Sequence, residues 1–140
     1  IEIGCVFHTV VSDDVEQTGR IGRAIAAGYF EYAKPLFEAI GLPWDGPDVE
    51  ELKKQVWPDF HHARDLEAAG DVVSFLPNAA VAAFCLHGSY AEIAGQIRAI
   101  KDYDLPISII VPHPMPTPSP PDRGGRDYAR EFAEHVFGAI

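Results

Sequence analysis

Residues 84–116 read FCLHGSYAEIAGQIRAIKDYDLPISIIVPHPMP, and this stretch decides the fold class. Apolar residues run to His87-Gly88, a stop for a short helix that opens after Pro77. Ser89 then offers a capping oxygen to a new helix, with Glu92 three residues on, the spacing of a capping box. Tyr90, Ile93, Ala94, Ile97 and Ile100 recur at helical spacing and predict one apolar face. Asp102 and Asp104 break the pattern, and Leu105-Pro106 leads into ISIIV (residues 107–111), which reads as a short buried strand. The strand empties into PHPMPTPSPP, where six of the chain's 12 prolines fall within ten residues. Proline cannot donate to a sheet ladder, so a surface loop is expected from Pro112 onward, with Pro112, Pro114 and Pro116 stiffening it. Helix followed by strand is the repeating unit of α/β proteins, whose ligands gather where strands end.

Upstream, IEIGCVFHTVV (residues 1–11) mixes β-branched and aromatic residues with little alternation, the pattern of a strand covered on both faces. Asp13 and Glu16 have capping-box spacing, and an Ala-rich helix follows until Pro35, where a kink or a new short helix ending near Gly41 is expected. GLPWDGPD (residues 41–48) is turn chemistry, and Asp48 with Glu51 opens a helix that Pro58 interrupts. DFHHARDLEAAG (residues 59–70) reads as a further helical piece closed by Gly70. A helical elaboration over about residues 42–86 therefore separates two strands expected to be parallel, and a last amphipathic helix, DYAREFAEHVFGAI, ends the sequence.

At 140 residues the chain is one domain by length, with 47% hydrophobic and 23% charged residues, an ordinary globular composition. Its net charge of -10, from 21 acidic and 11 basic residues, argues against nucleic-acid or anionic-membrane partners, which reward clustered Lys and Arg. Cys5 and Cys85 lie far apart in apolar segments and read as small hydrophobes in a reduced, cytoplasmic setting. No apolar run approaches the ~20 residues that span a bilayer, and no signal-peptide pattern is visible. Because residue 1 is Ile and already reads as strand, the sequence is expected to be an excerpt or processed product of something longer.

Taken in joint order, several segments resemble the C-terminal part of the luciferase-like monooxygenase superfamily. They are Gly88, Ser89, Glu92 and Ile93 followed by the run 107–111; the Asp-rich turn at residues 12–14; the helix leading into Gly28-Tyr29-Phe30; and the terminal YAREFAEHVFGAI. The resemblance implies a partial (β/α)8 TIM barrel of which this chain holds the last two β/α units, the N-terminal half being absent. It further implies an oxidoreductase using FMN or a deazaflavin coenzyme for hydride transfer or monooxygenation of a small organic substrate. The isolated chain is expected to be inactive, because the family's cofactor contacts come mostly from earlier strands. A homo-oligomer is compatible with this reading. The alternative class is a non-catalytic α/β module that pairs with another chain through exposed strands.

Active sites of such barrels lie on loops after strand ends, where His8 and His113 fall. They are the catalytic candidates, since imidazole can donate to a flavin carbonyl or transfer protons near neutral pH. Thr9 and Met115, also at strand ends, are the cofactor-binding candidates. His61-His62 with Asp65 sets a carboxylate one turn from two imidazoles, but no further ligand stands nearby, so a solvated helix face is expected and no metal. Arg123-Gly124-Gly125-Arg126 lacks phosphate-loop spacing and reads as a loop, with weak capacity for an anion.

Overall fold

The computed structural model describes residues 2–117 and 127–140. In chain order they form β1 (Gly4–Val11), α1 (Val15–Tyr32), α2 (Lys34–Ala39), α3 (Val49–Lys53), α4 (Leu66–Val72), α5 (Asn78–Phe84), β2 (Cys85–Gly88), α6 (Tyr90–Lys101), β3 (Ile109–Pro114), α7 (Tyr128–His135) and a closing 3-10 turn (Phe137–Ala139). The class is mixed α/β, with a small parallel sheet of order β2-β1-β3. No described helix is long and apolar enough to cross a membrane. The chain divides into two compact units, residues 1–13 with 86–140, and residues 14–85.

In the sheet unit, β1 and β3 pair in parallel from Gly4↔Ile109 to Thr9↔Pro114. Ile109 N–H donates to the Ile3 carbonyl at 3.2 Å, and Met115 N–H to the Thr9 carbonyl at 2.8 Å. Backbone groups alternate direction along a strand, so odd-numbered residues of β3 turn their N–H groups toward β1 and even-numbered ones turn theirs outward. Pro112 and Pro114 occupy outward positions, where a missing N–H removes no ladder bond. The expectation of a loop from Pro112 onward is therefore corrected: residues 112–114 belong to the strand.

A second correction concerns residues 85–88, read as the tail of a helix. They form a third strand, β2, because β1 offers them a partner, as in the bond from Ser12 N–H to the Gly88 carbonyl at 3.1 Å. Gly88 has φ of +116°, a conformation that L side chains rarely adopt, and it ends this strand in place of a helix. On the outer side of β2, His87 N–H donates to Gln96 Oε1 at 3.1 Å and the Gln96 amide donates back to the His87 carbonyl at 2.7 Å. The side chain of a helix residue thus occupies the strand's outward-facing groups.

Side chains alternate with the same period. Phe7, Val11 and Ile110 join Leu86, Ile93, Ala94, Ile97, Phe132 and Val136 in one core beneath α6 and α7. On the opposite face, Val6, Ile109 and Val111 are 63%, 46% and 44% exposed. The expected coverage of residues 1–11 on both faces holds only at the end of β1, where residues 9–11 are buried. The capping box at the start of α6 is present: Ser89 Oγ accepts from Glu92 N–H at 3.3 Å, and Glu92 accepts from Ser89 N–H at 2.7 Å.

In the helical unit, α1 is buried at Thr18, Ile21, Ala24, Ile25 and Ala26, among others, and packs against α2, α3, α4 and α5. Its N-cap is Asp14, one residue later than the Asp13 spacing suggests; its carboxylate accepts from Glu16 N–H at 2.9 Å and Gln17 N–H at 3.2 Å. Pro35 opens the separate helix α2, and Gly41, with φ of +69°, follows its end, as expected. Asp48 caps α3, which ends at Lys53, short of Trp57. Gly70 does not close a helix; it lies inside α4, where an added β-carbon would sit 1.9 Å from the Arg20 carbonyl oxygen of α1. The glycine marks a helix–helix contact.

Two outcomes test this packing. Gly70→Ala should lose about 1–3 kcal/mol in urea denaturation despite alanine's better helix propensity, since the clash is with backbone. Gly95→Ala in α6, where a β-carbon meets nothing nearer than Arg98 at 3.9 Å, should be neutral or gain up to about 1 kcal/mol. The Ser89 hydrogen bonds, outweighing burial, hold the Glu92 carboxyl below its ordinary value. Ser89→Ala removes the N-cap of α6 and should cost about 1 kcal/mol at neutral pH. Because a depressed carboxyl contributes stability that is lost as pH falls through its folded value, that deficit should shrink below pH ~4 in the same measurement.

Candidate functional site

The β1–β3 register sets His8 directly opposite His113. Their rings are 5.3 Å apart between centroids and tilted by 47°. His113 is the last residue of β3 but one, whereas His8 lies within β1, three residues before its end, so the reading of His8 as a residue after the strand is corrected. Both have the parity of Val6 and Val111 and thus lie on the face away from α6 and α7. His8 is half-buried and His113 exposed. Two imidazoles side by side at a solvent-reachable edge can donate to, accept from, or relay a proton to a bound group.

The other two strand-end candidates go elsewhere. Thr9 is fully buried, and its hydroxyl donates to the Phe7 carbonyl at 2.9 Å. Met115 is buried too; its N–H extends the ladder to Thr9, and its carbonyl accepts from the Tyr128 hydroxyl at 3.3 Å. These two residues secure the end of β3 and the start of α7. Of the four strand-end residues named from sequence, the structure joins His8 and His113 and gives Thr9 and Met115 to the interior.

A second cluster lies in the helical unit and corrects the reading of residues 59–65 as helix. Pro58, in a cis peptide with Trp57, precedes a turn over these residues, and α4 begins only at Leu66. Asp65 is not the partner of the histidines: it caps α4, accepting from Ala68 N–H at 3.0 Å. Asp59 takes that role. Its Oδ1 accepts from His62 N–H at 2.9 Å, both carboxylate oxygens lie 2.9 Å from His62 Nδ1, and Oδ1 is 3.8 Å from His61 Nδ1. The Tyr32 hydroxyl donates to Asp59 Oδ2 at 3.3 Å, and fully buried Phe60 anchors the turn.

Electrostatics polarise this group. Burial pushes the Asp59 carboxyl up, but the hydrogen bonds from the His62 ring and backbone, with the nearby imidazoles, outweigh it and leave the carboxyl below its ordinary value. An ionised carboxylate only accepts, so His62 Nδ1 carries the proton between them. Burial, reinforced by His62, lowers the His61 imidazole, which Asp59 and Glu31 only partly offset. His61 is thus neutral at neutral pH. The signal that marks Asp59 in the sequence is a capping-type residue placed just after a proline and three before His62, a spacing that folds back as a turn.

Elsewhere, burial pushes the Cys85 thiol far up, so it packs as a neutral hydrophobe. A cleft beside α1 is lined by Arg20, Arg23 and Asn78, among others. Its guanidinium groups are engaged: Arg20 with Glu67, and Arg23 with the Leu76 carbonyl and Asn78, each at 2.8 Å. The glycine loop at residues 123–126 lies outside the described residues.

Comparison of the chain with protein-family models, with curated proteins and with solved structures returns no match.

Removing the shared acceptor tests the turn. Asp59→Ala should cost about 1–3 kcal/mol in urea denaturation, because the His62 N–H and the Tyr32 hydroxyl lose their partner; Tyr32→Phe, at an exposed position, should cost clearly less.

Proposed function

We propose that this chain is part of an oxidoreductase of the luciferase-like type, using FMN or a deazaflavin coenzyme for hydride transfer or monooxygenation of a small organic substrate. The observation that carries this reading is the His8–His113 pair, set side by side across β1 and β3 toward the carboxyl end of β3. Open parallel sheets bind ligands outside the carboxyl ends of their strands, at the point where strand order reverses. In the order β2-β1-β3 that point falls between β1 and β3. Sheets that continue a 2-1-3 order can hold FMN there, which supports the cofactor class by analogy of topology.

The chemistry of the surroundings agrees. Val6 and Val111 flank the pair with exposed apolar surface suited to a planar ring system, while the imidazoles supply convergent polar groups. His8 and His113 would donate to a ring carbonyl and move a proton at the solvent side of the site. The bound coenzyme would supply the hydride chemistry. A (β/α)8 barrel wound in chain order would set β2 between β1 and β3, so the order found here supports the cofactor class by analogy with open sheets and lends nothing to the barrel. The alternative, a module that adds strands to another chain, meets blunted edges: Pro112 and Pro114 offer no donors on β3, and Gln96 occupies the outward groups of His87 on β2.

The test is titration of FMN and of a deazaflavin into the protein expressed from its natural gene, followed by cofactor fluorescence. Saturable binding of one of them is expected, with His8→Ala and His113→Ala each lowering turnover by about 10²-fold or more. No affinity of the folded protein for either cofactor would sink the reading.

A further inference from the structure

We propose that Asp59, His61 and His62 form a binding site for one divalent transition-metal ion of the Zn²⁺ type. One ligand atom from each residue falls within 4.8 Å of the other two. Ligands held about 2.0–2.1 Å from a tetrahedral ion stand roughly 3.3 Å from one another. The separations from the Asp59 carboxylate, 2.9 Å to His62 Nδ1 and 3.8 Å to His61 Nδ1, bracket that spacing. Two imidazoles and a carboxylate make a borderline N₂O donor set, which favours first-row ions such as Zn²⁺ or Co²⁺ over Mg²⁺ and Ca²⁺.

The cluster is built into the unit and is not a chance meeting of surface chains. Gly28 stands in the middle of α1, where glycine costs about 1 kcal/mol relative to alanine. A β-carbon there would lie 2.0 Å from His61 Nδ1, so the glycine opens the slot that the imidazole fills. Tyr29 stacks on the His61 ring at 6.3 Å and Tyr32 meets it edge-on at 5.6 Å, while the Tyr32 hydroxyl orients the Asp59 carboxylate from behind.

Independently, the Glu31 side chain is only 3% exposed, and its Oε2 has no hydrogen-bond partner among the described residues. Its charge acts on His61, and Lys53 pairs only with the other oxygen. A buried carboxylate with spare acceptor capacity, acting on the His61 imidazole, adds a field that favours a cation.

Loading the site is a balanced exchange. The ion takes the lone pair of His62 Nδ1, and the proton held there passes by way of solvent to Nε2 of the same ring, so the imidazole changes tautomer and releases no proton net. Three protein ligands leave at least one position for water, on the side where the His62 side chain is 62% exposed.

The experiment is calorimetric titration of Zn²⁺ into the 140-residue chain, with Co²⁺ absorption as a second readout. One ion per chain is expected. His62→Ala, at an exposed position that leaves the fold in place by circular dichroism, should weaken binding at least tenfold. The His8→Ala/His113→Ala double variant should bind as the wild type does. A folded wild type that takes up no Zn²⁺, undiminished binding by His62→Ala, or loss of binding in the strand-end double variant would each overturn the proposal.

Discussion

Proline can stand in a strand only where the ladder asks nothing of its nitrogen, and that condition governs the sheet unit. Pro112 and Pro114 share one parity, and the bonds at Ile109 and Met115 show that parity to be the outward one. A slip of the register by one residue would set both prolines against β1 and would exchange the two faces of β3. The same register decides that Ile110 reaches the core beneath α6 and α7, that Val111 stays outside, and that His113 meets His8. Core, open face and histidine pair are consequences of one alternation.

That constraint also separates the edges of the sheet from its face. A three-stranded sheet has two edges that invite further strands. Here one lacks donors at two positions and the other has a backbone pair occupied by the Gln96 amide. Among the described residues, Val6, Ile109 and Val111 stay exposed on one face. The proposed cofactor site uses that face, where His8 and His113 stand side by side.

The helical unit follows a different rule, in which glycines set how closely elements approach. Gly22 admits Val81, whose Cγ1 would lie 2.3 Å from an added β-carbon; Gly70 admits the backbone of Arg20; and Gly28 admits His61. Each gives up helix propensity for contact. At Gly28 the contact is with a titratable ring, and the turn at residues 59–65 brings a carboxylate to the same point. The polar cluster is thus a product of helix packing as much as of the turn that bears it.

What local sequence determined was everything set by neighbours within about one helical turn. The Ser89–Glu92 box, the apolar face of α6, the Asp48 cap and the break at Pro35 all rest on contacts three or four residues apart, and all are present. His113 was legible as a residue near a strand end, since it follows the run at residues 107–111, whereas the extent of β1 beyond His8 and the pairing of the two rings were settled by the sheet. Tertiary structure decided the rest. Residues 85–88 become a strand because β1, more than seventy residues away, supplies hydrogen-bond partners that a helix end would otherwise satisfy internally. Residues 112–114 stay in a strand because only the register shows which nitrogens are needed. The exchange of Asp65 for Asp59 as the histidines' partner, and of Gly70 from helix stop to packing contact, turned on the approach of α1. Local sequence carries propensities and caps; which backbone groups and side chains find a distant partner is settled only when the elements meet.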